Sequence, residues 1–239
     1  MQNKATMRLL VRGASGDVVE SALKNWRSSV SVRSWHEEDV ESTVIKLIPN
    51  NMHIITGRMF CANINYRISR MPGHSWLSLF ELGSARFDSQ GRRSKDGYEG
   101  LRCESRIGRQ AWPNVMIEVG YSDSLHQLRT DVQWWLESSG NLTKLAILVL
   151  VNDNPNNFHV EMWMLGSNPG RITRRSRATV PVCTSLIDID ATGAVTPPNA
   201  TLTIPYDALF DTPNANGTDI ILTANDLSKL ASIIFVQAT

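Results

Sequence analysis

The sequence predicts an α/β fold built on a mixed central β-sheet flanked by helices. Three observations carry this. Residues 114–121 (NVMIEVGY) and 144–151 (KLAILVLV) are short apolar runs of the kind found in strands buried on both faces. Between them Ser122, Asp123 and Ser124 can cap a helix running to about Ser138, with Leu125, Leu128, Val132, Trp135 and Leu136 on one face and Gly140 as terminator. Residues 158–165 (FHVEMWML) then alternate as a hairpin or sheet-edge partner, placing Glu161 between apolar neighbours. Strand–helix–strand in this order is a crossover unit of a parallel pair.

The flanking elements follow in turn. In residues 35–48, Val40, Val44, Leu47 and Ile48 fall on one helical face, with Glu37, Glu38 and Asp39 early, where the helix dipole favours acids; Pro49 and Asn50 stop the pattern. Residues 59–71 place Phe60, Ile64 and Ile68 four apart, a second helix closed by Pro72 and Gly73. Residues 74–91 alternate as one strand ending in a turn at Ser89–Gly91, and the polar stretch 91–111 reads as a loop or a loose hairpin limb. The basic stretch 171–178 is a loop, residues 180–206 are short strands around a Pro/Gly-rich turn, and residues 218–238 give a strand and a helix capped by Thr223 or Asn225. No repeat or linker divides the chain. Residues 1–239 form one domain, with a core over about 35–165 and an extension of strands and a helix over about 166–239.

Composition narrows the function classes. At 239 residues and 42% hydrophobic the chain can bury a sizeable core, and 24 Lys+Arg against 23 Asp+Glu leave no protein-wide basic field for nucleic acid. Cys61, Cys103 and Cys183 are far apart and lack the paired spacing of a zinc site or disulfide framework. The run MRLLV is too short for a signal-peptide core, and no stretch nears the roughly 20 apolar residues of a membrane span. The expectation is an intracellular protein, cytoplasmic or nuclear, compatible with a homo-oligomer. Sequons at Asn141, Asn199 and Asn216 then carry no meaning. Neither a P-loop nor a nucleophile elbow is present.

Glu118 is the residue that points to chemistry. It lies between Ile117 and Val119 in a strand expected to be buried, where an isolated carboxylate costs several kcal/mol unless paired, protonated or metal-bound. One reading is a solvated strand end beside Gly120. The other is a Mg²⁺ or Mn²⁺ site, with Asp88, Asp96 or Glu99 supplying a second acid from a neighbouring strand and metal-bound water attacking a phosphodiester. Two basic loops (91–95 and 171–178) could track a phosphate backbone, although charge runs are commonly solvated faces. Of the adjacent Trp134 and Trp135, helix geometry sets at most one, Trp135, on the main buried face.

The combination of WP…IEVGYS (112–122) with LRTDVQWWL (128–136) and KLAILVLV resembles the core of a family of fungal proteins assigned to the restriction-endonuclease-like PD-(D/E)XK fold. The likeness extends to SKDGYEGLR, VEMW, TIPYDALF and DIILTANDL. It implies a mixed sheet with a metal-dependent nuclease site at its edge, Glu118 and Asp96 as metal ligands, Glu99 as the alternative acid, and nucleic acid as substrate. The sequence departs from the motif in two places. Gly120 stands where a lysine is expected, leaving Arg129 and Lys144 as substitute cations, and no Pro-Asp pair precedes Glu118, so that Tyr98 falls near the acid's place. Arginine can stabilise charge but cannot serve as a general base. Three functions remain open at this point: a metal-dependent nuclease, a catalytically degenerate binding module, and a pocket retooled for a small molecule.

Overall fold

The computed structural model describes residues 7–26, 31–48, 52–89, 93–106, 108, 111–121, 124–153, 156–167, 179–211 and 217–238. The chain runs β1 (Met7–Arg12), α1 (Gly16–Trp26), β2 (Ser31–Glu37), β3 (Ser42–Ile48) and α2 (Met52–Ser69). Four short strands follow: β4 (Leu79–Glu81), β5 (Arg86–Ser89), β6 (Arg93–Asp96) and β7 (Glu99–Cys103). Then come β8 (Val115–Tyr121), α3 (Leu125–Ser138), β9 (Leu145–Asp153), β10 (Asn156–Ser167) and β11 (Thr179–Asp190). The chain closes with β12 (Val195–Thr196), β13 (Leu202–Ile204), α4 (Tyr206–Leu209), β14 (Ile220–Leu222) and α5 (Ala224–Ala238).

The strands form a seven-stranded sheet in the order β12-β11-β10-β9-β8-β7-β4, a five-stranded sheet in the order β1-β3-β2-β6-β5, and a small β13-β14 pair. In the large sheet β8 and β9 are parallel and joined through α3, while every other pairing is antiparallel. The expected mixed sheet flanked by helices is therefore present. Alternation along β8 sends Val115, Ile117, Val119 and Tyr121 into the main core with Phe60, Ile64 and Ile68 of α2 and residues of α5. On the other face Leu128, Val132 and Leu136 of α3 pack on Ala146, Leu148 and Leu150 of β9. Gly57 lets α2 lie close to the sheet, since a Cβ there would come within 2.7 Å of the Glu99 side chain. The small sheet has its own cover: Val19 and Leu23 of α1 pack on Val32 and Ile45. No described helix is long and apolar enough to cross a membrane.

The expected helix over 35–48 is instead the β2–β3 hairpin. Val40, counted as its buried face, is 62% exposed, and the hairpin turns where Glu41 takes a left-handed φ of 41°. The β-branched run Thr43-Val44-Ile45 favours a strand once β1 and β2 lie on either side to pair with it. Residues 74–91 do not make one strand, because Leu82–Ala85, including Gly83 at φ 57°, breaks them into β4 and β5 in different sheets. The polar stretch 91–111 contains β6 and β7; Ser94, Lys95 and Asp96 are buried, and their polarity is absorbed by partners across strands. Residues 179–190 are one long strand, pinned along its length by β10. Residues 171–178, Pro49, Asn50, Ser122 and Asp123 lie outside the described residues. The helices expected at 59–71, 125–138 and the C-terminus are present. Thr223 caps the last, its Oγ accepting from the Asp226 amide while Asp226 accepts from the Thr223 amide, and Gly140 follows α3 at φ 63°.

A clasp ties the C-terminal region to the sheet. Arg106 donates through Nε and Nη2 to both oxygens of Asp211, at 2.7 and 2.6 Å, and also to the carbonyls of Trp112 and Leu142. Asp211→Ala is expected to lower unfolding stability by about 1–2 kcal/mol, read as a lower urea midpoint, because Arg106 keeps its carbonyl partners but loses a charged acceptor. An unchanged midpoint would mean that the clasp contributes nothing.

Candidate functional site

Glu118 is buried, not solvated at the strand end: it is 1% exposed. It points from β8 to the α3 face, the opposite side from its neighbours Ile117 and Val119. The Trp135 indole N–H donates to Oε1 at 2.5 Å. The counter-ion comes from the small sheet. Lys95 Nζ of β6 lies 3.3 Å from Glu118 Oε1, 2.9 Å from Asp131 Oδ1 and 3.2 Å from the Asp131 carbonyl. An ammonium has three protons, and three acceptors surround this one. Its charge also lies 5.8 and 5.5 Å from the ring centroids of Trp134 and Trp135. Burial raises the Glu118 pKa, Lys95 opposes that, and the Asp131 charge adds to it.

Both tryptophans are buried, Trp134 at 4% and Trp135 at 0% exposure, although helix geometry alone allowed one. The second is covered by an aromatic cluster in which Phe87 of β5 and Trp35 of β2 pack with Met116 and Trp112. Closure by the small sheet therefore delivers Lys95 and shields it in the same movement of chain.

The other residues expected at this site are dispersed. Asp96 borders the same cleft as Glu118 but alternates to the opposite face of β6 from Lys95. There its carboxylate accepts from the Ser34 amide (2.9 Å) and hydroxyl (3.1 Å) and lies 3.5 Å from Arg86. Asp88 leads away from the cleft, lining a polar hollow with Glu20, His36 and Arg93. Glu99 pairs in register with Ile117, so it faces α2, with Arg58 at 3.5 Å; burial raises its pKa against the pull of Arg58. Arg129 is bound to Glu161 through Nε at 3.1 Å and Nη2 at 2.5 Å. Lys144 precedes β9, bordering a hollow shared with Asp207 and Asp211. Neither substitute cation touches Glu118. Continuing the β7–β8 register by one residue sets Tyr98 opposite Glu118, and both line the cleft.

Sequence reasoning missed Lys95, Asp131 and the basic residues Arg8, Arg33 and Lys46 that line the cleft with them. A signal for Lys95 did exist. The turn at Ser89–Gly91 between two short runs is a hairpin signature, and alternation from Phe87 would have turned Lys95 inward. Among the described residues no group of three or more His, Cys, Asp and Glu side chains is placed to hold a metal ion.

A second polar cluster lies on the same face of the large sheet. Glu118, Leu148 and Glu161 are register partners across β8, β9 and β10. His159 bridges two carboxylates, with Nδ1 2.6 Å from Asp188 and Nε2 2.9 Å from Glu161, while the Trp163 indole donates to Glu161 at 2.8 Å.

The fold and site thus define a mixed α/β protein with a buried cluster of one lysine and two carboxylates between its sheets. Compared with known proteins, the chain matches no protein-family model and no curated protein.

Proposed function

We propose that the chain is a binding module for nucleic acid built on a restriction-endonuclease-like fold in which Lys95 has taken the place of the catalytic cation. The observation that carries this is the Lys95 ammonium lying between Glu118 and Asp131, 3.3 Å from one carboxylate and 2.9 Å from the other. A divalent cation there would meet a fixed positive charge about 3 Å from each carboxylate, so the donor set does not fit Mg²⁺ or Mn²⁺ as it stands. Two further features support loss of hydrolysis. Tyr98 stands opposite Glu118 where a second acid would be needed, and Gly120 leaves no lysine two residues after it. Glu118 and Lys95 are also nearly closed to solvent, which keeps a scissile phosphate from reaching them. A mixed sheet flanked by helices is the architecture that the resemblance implies, and it supports the reading at that level.

Calorimetric titration with Mn²⁺, run beside incubation with DNA and RNA, tests the reading. The wild type is expected to take up no Mn²⁺ through Glu118 and to leave both polymers intact. Lys95→Ala removes the resident charge and is expected to gain Mn²⁺ binding, which Glu118→Gln then abolishes. Glu118-dependent Mn²⁺ uptake by the wild type, with cleavage, would overturn it in favour of a working nuclease.

A further inference from the structure

A hollow lies at the end of the large sheet where the parallel strand β9 begins. It encloses about 370 Å³, within the range of small-molecule sites and far more than a single water needs. Lys144, one residue ahead of β9, borders it on one side, and Asp207 of α4 borders it on another. Met164 and Leu165 of β10, both half-buried, supply an apolar wall beside Phe210. Strand register brings that wall to Lys144, because Met164 pairs with Leu145, the next residue along.

The charges around this hollow are unevenly engaged. Asp211 is already satisfied: Arg106 donates to its two oxygens at 2.7 and 2.6 Å, and the Asn114 amide donates at 3.3 Å. Lys144 and Asp207 differ. Among the described residues neither side chain makes a hydrogen bond or ion pair, with the other or with any neighbour. The backbone that carries each is anchored separately. The Lys144 N–H donates to the Asn114 carbonyl at 2.8 Å, while at α4 the Tyr206 N–H donates to Asp219 at 2.9 Å and the Phe210 N–H to the Tyr206 carbonyl at 3.2 Å. One unpaired surface charge is ordinary. Two of opposite sign, bordering one apolar-walled hollow without closing on each other, ask for a ligand that carries both signs.

We infer that this hollow is a binding site for the zwitterion of an apolar α-amino acid, with its carboxylate on Lys144, its ammonium on Asp207 and its side chain against Met164 and Leu165. A ligand of a single sign leaves one of the two protein charges covered and unmatched, and a purely apolar ligand leaves both. Each polar contact is a charge-assisted hydrogen bond. Lys144 is half-buried and Asp207 exposed, so water screens both contacts and the affinity belongs at about the millimolar level. The inference goes beyond the nucleic-acid reading and is independent of it, because the hollow shares no residue with the cleft at Lys95.

Calorimetric titration of the whole chain with three probes tests the site: L-leucine, isoamylamine, which is leucine without its carboxylate, and isocaproate, which is leucine without its ammonium. Leucine is expected to bind saturably and at least about tenfold tighter than either analogue. Lys144→Gln is expected to erase its advantage over isoamylamine, and Asp207→Asn its advantage over isocaproate. The two substitutions lie on different elements, so either one provides the comparison should the other lose its fold. Absence of saturable leucine binding at about 10 mM would overturn the inference. Equal binding of leucine and both analogues, or leucine binding that neither substitution weakens, would overturn it as well.

Discussion

Lys95→Met is expected to lower unfolding stability by about 3–5 kcal/mol at neutral pH, the range for removing one partner of a buried ion pair. For a chain of this length that is a fall in Tm of roughly 10 °C. The substitution keeps most of the aliphatic volume against Trp134 and Trp135, so the loss reports charge and not packing. Glu118 and Asp131 are left facing one another in a site from which water is nearly excluded. Burial already raises the Glu118 pKa, and Lys95 is the main group opposing that. Without the ammonium the carboxyl rises further. A carboxyl raised in the folded state costs stability above its unfolded pKa and recovers it as pH falls through the folded value, so the deficit of the variant is expected to shrink between pH 7 and pH 5. Adding Glu118→Gln and Asp131→Asn to Lys95→Met removes the stranded charges and is expected to restore part of the loss, a coupling that single substitutions cannot show. Urea denaturation of the wild type, Lys95→Met, Glu118→Gln with Asp131→Asn, and the triple variant at the two pH values measures all of this. A loss under about 1 kcal/mol for Lys95→Met would mean that the lysine is not the counter-ion.

Glu161→Ala is the second large effect, expected at about 3 kcal/mol because Arg129, His159 and the Trp163 indole all lose a buried acceptor at once. Burial pushes Glu161 upward, yet the bonds from His159, Arg129 and Trp163 outweigh it and hold the carboxyl at about 2. Its contribution is therefore present above its ordinary value of 4.5 and is lost as pH falls toward 2. For His159 burial lowers the pKa, but the carboxylates of Glu161 and Asp188 win and raise it above 6.5. That contribution is complete below 6.5 and is lost as pH rises through the folded value. The two windows overlap between 4.5 and 6.5. The stability difference between wild type and Glu161→Ala is expected to be largest there and to shrink as pH rises through the raised His159 value, where the imidazolium is lost. A difference that stays flat from about pH 5.5 up to the onset of alkaline unfolding would show that His159 does not bridge its two carboxylates as a cation.

Much of the large sheet was legible because its signals are local. The apolar run around Glu118, the amphipathic α3 and the apolar run of β9 each bury a surface whose period can be counted along the chain. The small sheet was not legible in the same way. Residues 35–48 satisfy a helical spacing and a β-branched preference together, and only the pairing of β3 with both β1 and β2 decides between them. The stretch containing Lys95 reads as solvated because it is polar, whereas its polarity answers charges far away in sequence.

That contrast divides what the chain states for itself from what folding adds. Local sequence placed Glu118 in an apolar run and left two readings, a solvated strand end or a buried carboxylate that must be paired, protonated or metal-bound; its 1% exposure decides for the second. Local sequence also showed that Gly120 could not be its partner. The identity of the partner was decided by tertiary structure alone, because ion pairing depends on distance in space and strand pairing imposes no limit on separation in sequence. Lys95 reaches Glu118 only when β6 joins the small sheet and that sheet closes over α3. The same closure aligned Arg8, Lys46 and Arg33 from three separate strands into one row, a juxtaposition that no spacing along the chain encodes.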